Sequence, residues 1–271
     1  MNIVSLSGGK DSTAMLFMML ERNIAVDRVI FVDTTKEFPQ MYDHIEKVKK
    51  MCPVKIEVVK IDFDYWFGEH VKTKGKNKGG IGYGFPLSNT RWCTALKREA
   101  IKRTIANSDY MCRRRYAIGN DPDMVVNFIG IAADESHRAS RVNDKRSVYR
   151  YPLIEWGVTE KMALEYCYSL GFDWGGLYEK FPRVSCWLCP FQRMSSLKII
   201  HDEYPELWKK LVDMENKMKG KYYKGRYTVK DLSAKFSCMN TEVANNLLNI
   251  RDAAIRDGMT LLTEDEILEE I

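Results

Sequence analysis

The sequence predicts an α/β fold in which a parallel sheet carries helices on both faces, followed by a helical C-terminal appendage. Short apolar runs alternate with amphipathic runs over the first two thirds of the chain, which is typical of repeated strand–helix–strand units. Residues 28–33 are almost continuously apolar, as in a strand buried on both faces. After Pro190 the pattern changes to helical stripes. We therefore predict one domain at 1–192 and a helical region at 193–271.

Each element follows from its local pattern. The first strand is predicted at Ile3 and Val4, and the amphipathic run at 13–20 predicts the helix after it. A later helix has Thr159 as its N-cap and Gly171 as its stop. The other predicted strands are 28–33, 54–61 and 125–132, and an extended segment is predicted at 149–158. The predicted helices are 40–51, 90–106, 159–170, 195–219 with an interruption at Pro205, and 240–257. Residues 110–123 are predicted to be irregular.

Composition excludes several classes of protein. Charged residues at 29% and hydrophobic residues at 45% are ordinary globular values, which argues against a disordered chain. Neither an apolar run of membrane-spanning length nor a secretory leader is found, so we expect a cytoplasmic protein with no membrane partner. Basic runs at 72–78 and 113–115 predict either solvated surface or contacts with a polyanion such as tRNA or DNA. The glycine-rich insertion around the first run favours a lid, a binding loop or disorder.

The stretch Ser-Gly-Gly-Lys-Asp-Ser at residues 7–12, the phosphate loop, follows the first strand and opens the first helix. A helix N-terminus and close backbone N–H groups suit a phosphate. The loop contains glycines with a flexible backbone, hydroxyl groups that can donate hydrogen bonds, and a lysine that carries a positive charge. It also contains an aspartate that either binds Mg²⁺ or caps the helix. These residues are Ser7, Gly8, Gly9, Lys10, Asp11 and Ser12. The spacing differs from a Walker loop and from a dinucleotide fingerprint. A tight turn without a ligand is the alternative.

Cysteines provide the second chemical signal. In a reducing compartment, clustered cysteines indicate metal or redox chemistry rather than structural disulfides. Cys186 and Cys189 are separated by two residues, which is half of a zinc or iron–sulfur site. Cys93 is the best candidate for a third ligand because its segment is expected at the ligand end of the sheet, with Cys112 in reserve. Two packed thiols or a redox pair remain the alternative.

Four segments resemble the phosphoadenosine phosphosulfate (PAPS) reductase family of the PP-loop ATP pyrophosphatase superfamily. They are SGGKDS at 7–12, DTTKEFP at 33–39, GIAADESHRASR at 130–141 and CWLCP at 186–190. The resemblance covers 1–192 and implies a Rossmann-like PP-loop fold with an adenine-nucleotide site. It implies phosphate contacts by Ser7, Gly8, Gly9, Asp11 and Ser12, a place for Asp33 near the ribose or adenine, and contacts of Arg138 and Arg141 with anionic groups. It also implies a [4Fe-4S] cluster on Cys93, Cys186 and Cys189.

Two departures bear on the reaction. Assimilatory reductases carry a catalytic cysteine followed by glycine and histidine in a C-terminal tail, and this sequence ends in LTEDEILEEI. Trp92 stands where cluster-bearing members tend to have an adjacent cysteine. Residues 183–189 are closer to the DNA phosphorothioation enzymes of the same family. The leading hypothesis is therefore an ATP- and Mg²⁺-dependent enzyme of sulfur transfer, with Lys10, Asp11 and Cys93 as catalytic residues.

The acceptor in this hypothesis is tRNA or DNA, and the sulfur comes from a donor or reductant protein. One alternative is a reductase of a phosphosulfate nucleotide, such as PAPS or its adenylyl-sulfate relative. Another is a noncatalytic accessory subunit that binds nucleotide or nucleic acid and holds structural zinc on Cys186 and Cys189. The apolar stripes of 193–271 predict internal packing or a homodimer contact.

Overall fold

The computed structural model describes residues 1–88, 90–106, 125–141, 148–218 and 222–238, with the side chains of 140 and 141 excepted. The chain forms two compact units. The first unit comprises Met1–Phe63 and Arg91–Val184. The second comprises Asp64–Thr90 and Ser185–Ile271. The domain boundary proposed at residue 192 stays a prediction.

A five-stranded parallel sheet forms the centre of the first unit. Its strands are β1 Asn2–Leu6, β2 Arg28–Asp33, β3 Ile56–Lys60, β4 Val126–Ile129 and β5 Val148–Arg150. The strand order is β3-β2-β1-β4-β5, and every pair is parallel. The predicted α/β fold is confirmed. The chain leaves β1 toward one edge and returns to the other at β4, so the carboxyl ends of β1 and β4 mark the crevice where such sheets bind ligands.

Helices flank this sheet. They are α1 Lys10–Glu21, α2 Pro39–Met51, α3 Trp92–Ala106, α4 Pro152–Glu155, α5 Glu160–Ser169 and α6 Leu177–Lys180, with 3₁₀-helices at Ala133–Arg141 and Trp174–Gly176. Thr159 caps α5 as predicted, since its side chain accepts a hydrogen bond from the Met162 amide. The extended conformation predicted for 149–158 is wrong over α4, a single turn that begins at Pro152. Such a turn is too short to show a helical period in sequence.

The second unit is built largely from helices and aromatic side chains. A π-helical turn at Tyr65–Glu69 precedes α7 Met194–Glu203, α8 Pro205–Lys217 and α9 Val229–Cys238. Phe85 lies between Phe67 and Tyr223, with ring centroids at 5.0 and 4.9 Å. The predictions for 110–123 and 240–257 concern residues outside the described ranges. None of the described helices has the length and apolar character needed to cross a membrane.

Candidate nucleotide and metal sites

The phosphate loop is closed by its own serines. The Ser12 hydroxyl accepts a hydrogen bond from the Ser7 amide at 3.1 Å and donates one to the Gly9 carbonyl at 3.0 Å. Gly8 has a φ of +83°, and a Cβ there would lie 2.7 Å from the Met41 sulfur. A side chain at this position would therefore strain the turn. Helix α1 begins at Lys10, three residues before the predicted start, so its N-terminus lies inside the motif.

Two aromatic residues hold the backbone of this loop. The Trp174 indole N–H donates to the Gly8 carbonyl at 2.8 Å, and the Tyr178 hydroxyl accepts from the Lys10 amide at 2.8 Å. Trp174 stacks on His44 at 4.3 Å between ring centroids. These contacts are not evident from the sequence, because more than 160 residues separate each aromatic residue from its partner. The loop conformation thus depends on a distant segment of the same unit.

His44 is a buried residue that contacts helix α1 just after the loop. It is 1% exposed, and its Nε2 lies 3.1 Å from the Thr13 hydroxyl of α1. Burial lowers the pKa of His44 to about 3, and the neighbouring charge of Lys47 acts in the same direction. The imidazole is therefore neutral at ordinary pH, and the pair with Thr13 is a hydrogen bond between uncharged groups.

Charged side chains crowd the start of α1. The Lys10 ammonium lies 2.7 Å from Glu160 and 3.4 Å from Asp11. Carboxylate oxygens of Asp11, Glu135 and Glu160 all lie within 4.8 Å of one another. Burial raises the pKa of Asp11, although Lys10 opposes this shift. These three acids form ion pairs with Lys10 and Arg138, and their carboxylate oxygens are ligands that Mg²⁺ prefers, so the cluster could hold a divalent cation.

The two arginines predicted to contact anionic groups, Arg138 and Arg141, lie in the 3₁₀-helix that follows β4. Arg138 forms an ion pair with Glu135 inside the 3₁₀-helix that follows β4. Arg141 ends that helix, and its side chain lies outside the described residues. Glu160, by contrast, was not a candidate from sequence, since only the folded chain brings the first residue of α5 to Lys10. Its predicted N-cap neighbour, Thr159, was the nearest sequence signal.

Gly130 allows the end of β4 to pass against the start of α1. A Cβ at this glycine would lie 2.7 Å from both the Cα and the amide nitrogen of Ser12. These are backbone atoms, which cannot move aside as a flexible side chain can. Gly130 therefore fixes how closely the segment bearing Glu135 and Arg138 approaches the phosphate loop.

Asp33 ends β2 at the same edge of the sheet. Its Oδ1 accepts hydrogen bonds from the Thr35 amide at 2.6 Å and the Tyr42 hydroxyl at 3.0 Å. Thr35 has a φ of +63°, so the carboxylate stabilises a tight turn with unusual backbone. Asp33 is buried, and its proposed place near a ribose or adenine stays a prediction.

The Cys-x-x-Cys loop, residues 186–189, lies in the second unit. The Cys189 amide donates to the Cys186 carbonyl at 3.1 Å, so the segment is a hydrogen-bonded turn whose ends are close together. The buried Gln192 side chain donates to the Cys186 carbonyl at 2.9 Å, and the Tyr223 hydroxyl donates to the Leu188 carbonyl at 3.2 Å. Both cysteines are half-buried. A turn with two accessible sulfurs fits zinc or an iron–sulfur cluster.

Cys93 belongs to the first unit, where it lies half-buried in the first turn of α3. The adjacent Trp92 packs on Phe63 with ring centroids 4.8 Å apart. The three-cysteine ligand set stays a prediction, and Cys112 lies outside the described residues. Trp92 thus has a packing role, which accounts for an aromatic rather than a second cysteine at this position.

The basic loop, residues 70–84 of the second unit, is closed by backbone hydrogen bonds. The Lys72 amide donates to the Gly80 carbonyl at 2.9 Å, and Val71 pairs with Ile81 in an antiparallel bridge. The Lys72 ammonium lies 5.3 Å from the centre of the Tyr83 ring. The exposed lysines are Lys74, Lys76 and Lys78. The basic run at 113–115 lies outside the described residues.

Comparisons with known proteins place the chain in a family. It is 30% identical to the uncharacterized protein MJ0066 of Methanocaldococcus jannaschii over 217 residues, which are 77% of this chain and 40% of the relative. It is 25% identical over 214 residues to MJ0973 of the same organism, covering 78% and 46%. The chain thus spans less than half of the length of either relative.

One solved structure with some similarity is the U34-tRNA thiolase NcsA from Methanococcus maripaludis with its [4Fe-4S] cluster. The match covers 89% of this chain and 74% of that one, at 15% identity and a TM-score of 0.38. The sequence profile of the phosphoadenosine phosphosulfate reductase domain, in contrast, matches residues 1–192, which include both the phosphate loop and the Cys-x-x-Cys loop. The chain therefore belongs to the phosphoadenosine phosphosulfate reductase domain family.

Proposed function

We propose that this protein binds ATP at the phosphate loop and catalyses adenylation-coupled transfer of sulfur to nucleic acid. The observation that carries the proposal is the phosphate loop itself. Its two glycines, its closed serine pair and the N-terminus of α1 provide a backbone surface suited to phosphate at the switch point of a parallel sheet.

In the proposed reaction an oxygen of the acceptor attacks the α-phosphorus of ATP. The bond from that phosphorus to the bridging oxygen breaks, and pyrophosphate leaves with the electron pair. Sulfide-level sulfur from a donor protein then attacks the carbon or phosphorus that carries the adenylated oxygen. The bond between that atom and the oxygen breaks, and AMP leaves with the oxygen and the electron pair. The amides of the loop and the Ser7 and Ser12 hydroxyls hold the phosphate oxygens, and Lys10 balances the charge of Asp11 and Glu160.

A divalent cation is part of this proposal. Asp11, Glu135 and Glu160 would hold Mg²⁺, which neutralises charge on the triphosphate when it is bound. Without it the acids would repel an anionic nucleotide, because Lys10 is already paired with Glu160. Arg138 is likewise paired with Glu135, so the described cations at this site do not offset a polyphosphate on their own.

A thiolate-bound metal is the second cofactor that we propose. Cys186 and Cys189 would hold it, with Cys93 as the third ligand, and a [4Fe-4S] cluster in that place supplies iron that can bind sulfur. Gln192 and Tyr223 fix the carbonyls of the Cys-x-x-Cys loop, which keeps the turn in one conformation. Zinc at the same residues would favour the noncatalytic alternative.

The basic loop supports a nucleic-acid acceptor. Its lysines are exposed on a backbone closed by hydrogen bonds, beside the rings of Trp66, His70 and Tyr83. These rings lie within 6.1 Å of one another by centroid distance. Lysines contact phosphates and aromatic rings stack on bases, which is the usual combination in proteins that bind single strands.

Pyrophosphate release from ATP tests the proposal. The protein is assayed after anaerobic purification, with Mg²⁺, a sulfide source, and bulk unmodified tRNA or single-stranded DNA as acceptor. We expect release that requires Mg²⁺ and rises with one of the two acceptors. Asp11→Asn should slow it by about 100-fold, whereas the matched control Asp43→Asn, on the exposed side of α2, should not. Absence of release with either acceptor, or equal rates in the two variants, would contradict the proposal.

A further inference from the structure

Among the residues that the structure describes, none accepts the proton of the Tyr178 hydroxyl. A phenol hydroxyl can accept two hydrogen bonds and donate one. Tyr178 accepts from the Lys10 amide at 2.8 Å, and it donates no hydrogen bond to any residue that the structure describes. An unused donor in a partly buried position is costly unless a ligand or water completes it. The structure therefore leaves one directional donor at the start of α1.

The position of this hydroxyl is fixed from two sides. The Tyr178 ring packs edge-on against Trp174 at 4.8 Å, and Trp174 itself donates to the Gly8 carbonyl. At the loop, a Cβ on Gly9 would lie 3.2 Å from the Tyr178 oxygen, so the glycine leaves the space that the hydroxyl occupies. Trp174 and Tyr178 thus form a matched pair, in which the indole donates to a loop carbonyl and the phenol accepts from a loop amide.

We propose that the Tyr178 hydroxyl donates a hydrogen bond to a phosphate oxygen of the bound nucleotide while its oxygen stays bonded to the Lys10 amide. This inference deepens the proposed function and rests on it. The phenol would extend the N-terminus of α1 by one hydrogen bond, because an O–H becomes a stronger donor when its oxygen accepts from an N–H. Tyr178 is then a phosphate-binding residue outside the SGGKDS motif.

The charge state of the phenol agrees with this role. Burial raises the pKa of Tyr178, and the nearby acids Asp11 and Glu160 act in the same direction, while the Lys10 amide opposes them. The hydroxyl therefore keeps its proton throughout the physiological range. Its contribution to nucleotide affinity should not change with pH there.

Calorimetric titration of Tyr178→Phe with ATP and Mg²⁺ tests this inference. The substitution keeps the ring on Trp174 and removes only the hydroxyl. We expect ATP to bind about 10-fold more weakly, as for loss of one hydrogen bond to a charged group. Adenosine, which has no phosphate, should bind equally to both proteins. Tyr168→Phe, on the exposed face of α5, is the matched control and should leave both affinities unchanged.

The outcomes separate the two proposals. If the unaltered protein binds no ATP, both the proposed function and the role of Tyr178 are wrong. If it binds ATP and Tyr178→Phe binds it equally well or more tightly, only the role of Tyr178 is wrong, since the freed Lys10 amide then serves the phosphate directly. A parallel loss of adenosine affinity would also overturn it, because the phenol would then act on packing and not on phosphate.

Discussion

The phosphate loop and the Cys-x-x-Cys loop are stabilised in the same way but have different chemical surroundings. Each is a tight turn held in place by side chains from later in the chain: Trp174 and Tyr178 in one case, Gln192 and Tyr223 in the other. The phosphate loop lies among close carboxylates and a buried lysine. The Cys-x-x-Cys loop is next to a fully buried aromatic ring.

The difference between these surroundings decides which ligand each loop suits. Carboxylates and backbone amides match hard partners, namely phosphate and Mg²⁺. The cysteine sulfurs match a soft metal. Burial raises the pKa of the neighbouring Tyr223, so its phenol stays neutral beside the two cysteines. Because the two loops belong to separate compact units, their ligands should be removable one at a time.

The largest expected effect is loss of metal from Cys186→Ser. One ligand of the turn is replaced by a hydroxyl that binds soft metals poorly, so we expect the protein to lose its iron, or its zinc, together with any visible cluster absorbance. Metal analysis after anaerobic purification measures this. Nucleotide affinity should stay the same. The control is Cys238→Ser, an exposed cysteine of α9, and equal metal loss in both variants would contradict the assignment.

The next effect is a dependence of stability on pH that belongs to the first unit. His44 has a folded pKa of about 3, below its ordinary value near 6.5, so the unfolded chain takes up the proton first. The stabilising contribution is complete above pH 6.5 and decreases as the pH falls toward 3, by up to about 1.4 kcal/mol per pH unit.

Urea unfolding between these pH values measures the effect. The difference in unfolding free energy between the unaltered protein and His44→Gln should grow as the pH rises from 4 to 6.5. A constant difference would mean that the imidazole is not buried as a neutral group. His137→Gln, which removes an exposed histidine of the same unit, is the matched control.

A smaller effect is expected at Gly130. Alanine there would press on the backbone of Ser12, so we expect destabilisation of about 1–3 kcal/mol and weaker ATP binding. Gly68→Ala in the second unit is the control, because no atom lies within 4 Å of its added Cβ. Equal stability of the two variants would show that the end of β4 can move away from α1 without cost.

Local patterns predicted most of the sheet. The bounds of β2 match the prediction because a continuous apolar run is unambiguous, and the predicted break at Pro205 matches the start of α8. The start of α1 is predicted too late, since the first turn of this helix consists of motif residues without an apolar period. These elements depend on neighbours in sequence, which is why sequence alone was sufficient for most of them.

The surroundings of the phosphate loop could not be predicted in the same way. Glu160 and Tyr178 reach Lys10 across 150 and 168 residues, and nothing in their own segments indicates the contact. Gly130 is similar, because a glycine after a strand does not reveal which backbone it approaches. The motif identified the centre of the site, and only tertiary structure identified the residues that surround it.

The discontinuous path of the second unit has a consequence for how the protein folds. Phe85 packs on Tyr223, although the whole segment Arg91–Val184 of the first unit lies between them in sequence. During synthesis the aromatic residues of 64–90 emerge long before their partners. Phe85 therefore lacks this partner, and its ring stays available to chaperones, until Tyr223 has emerged from the ribosome.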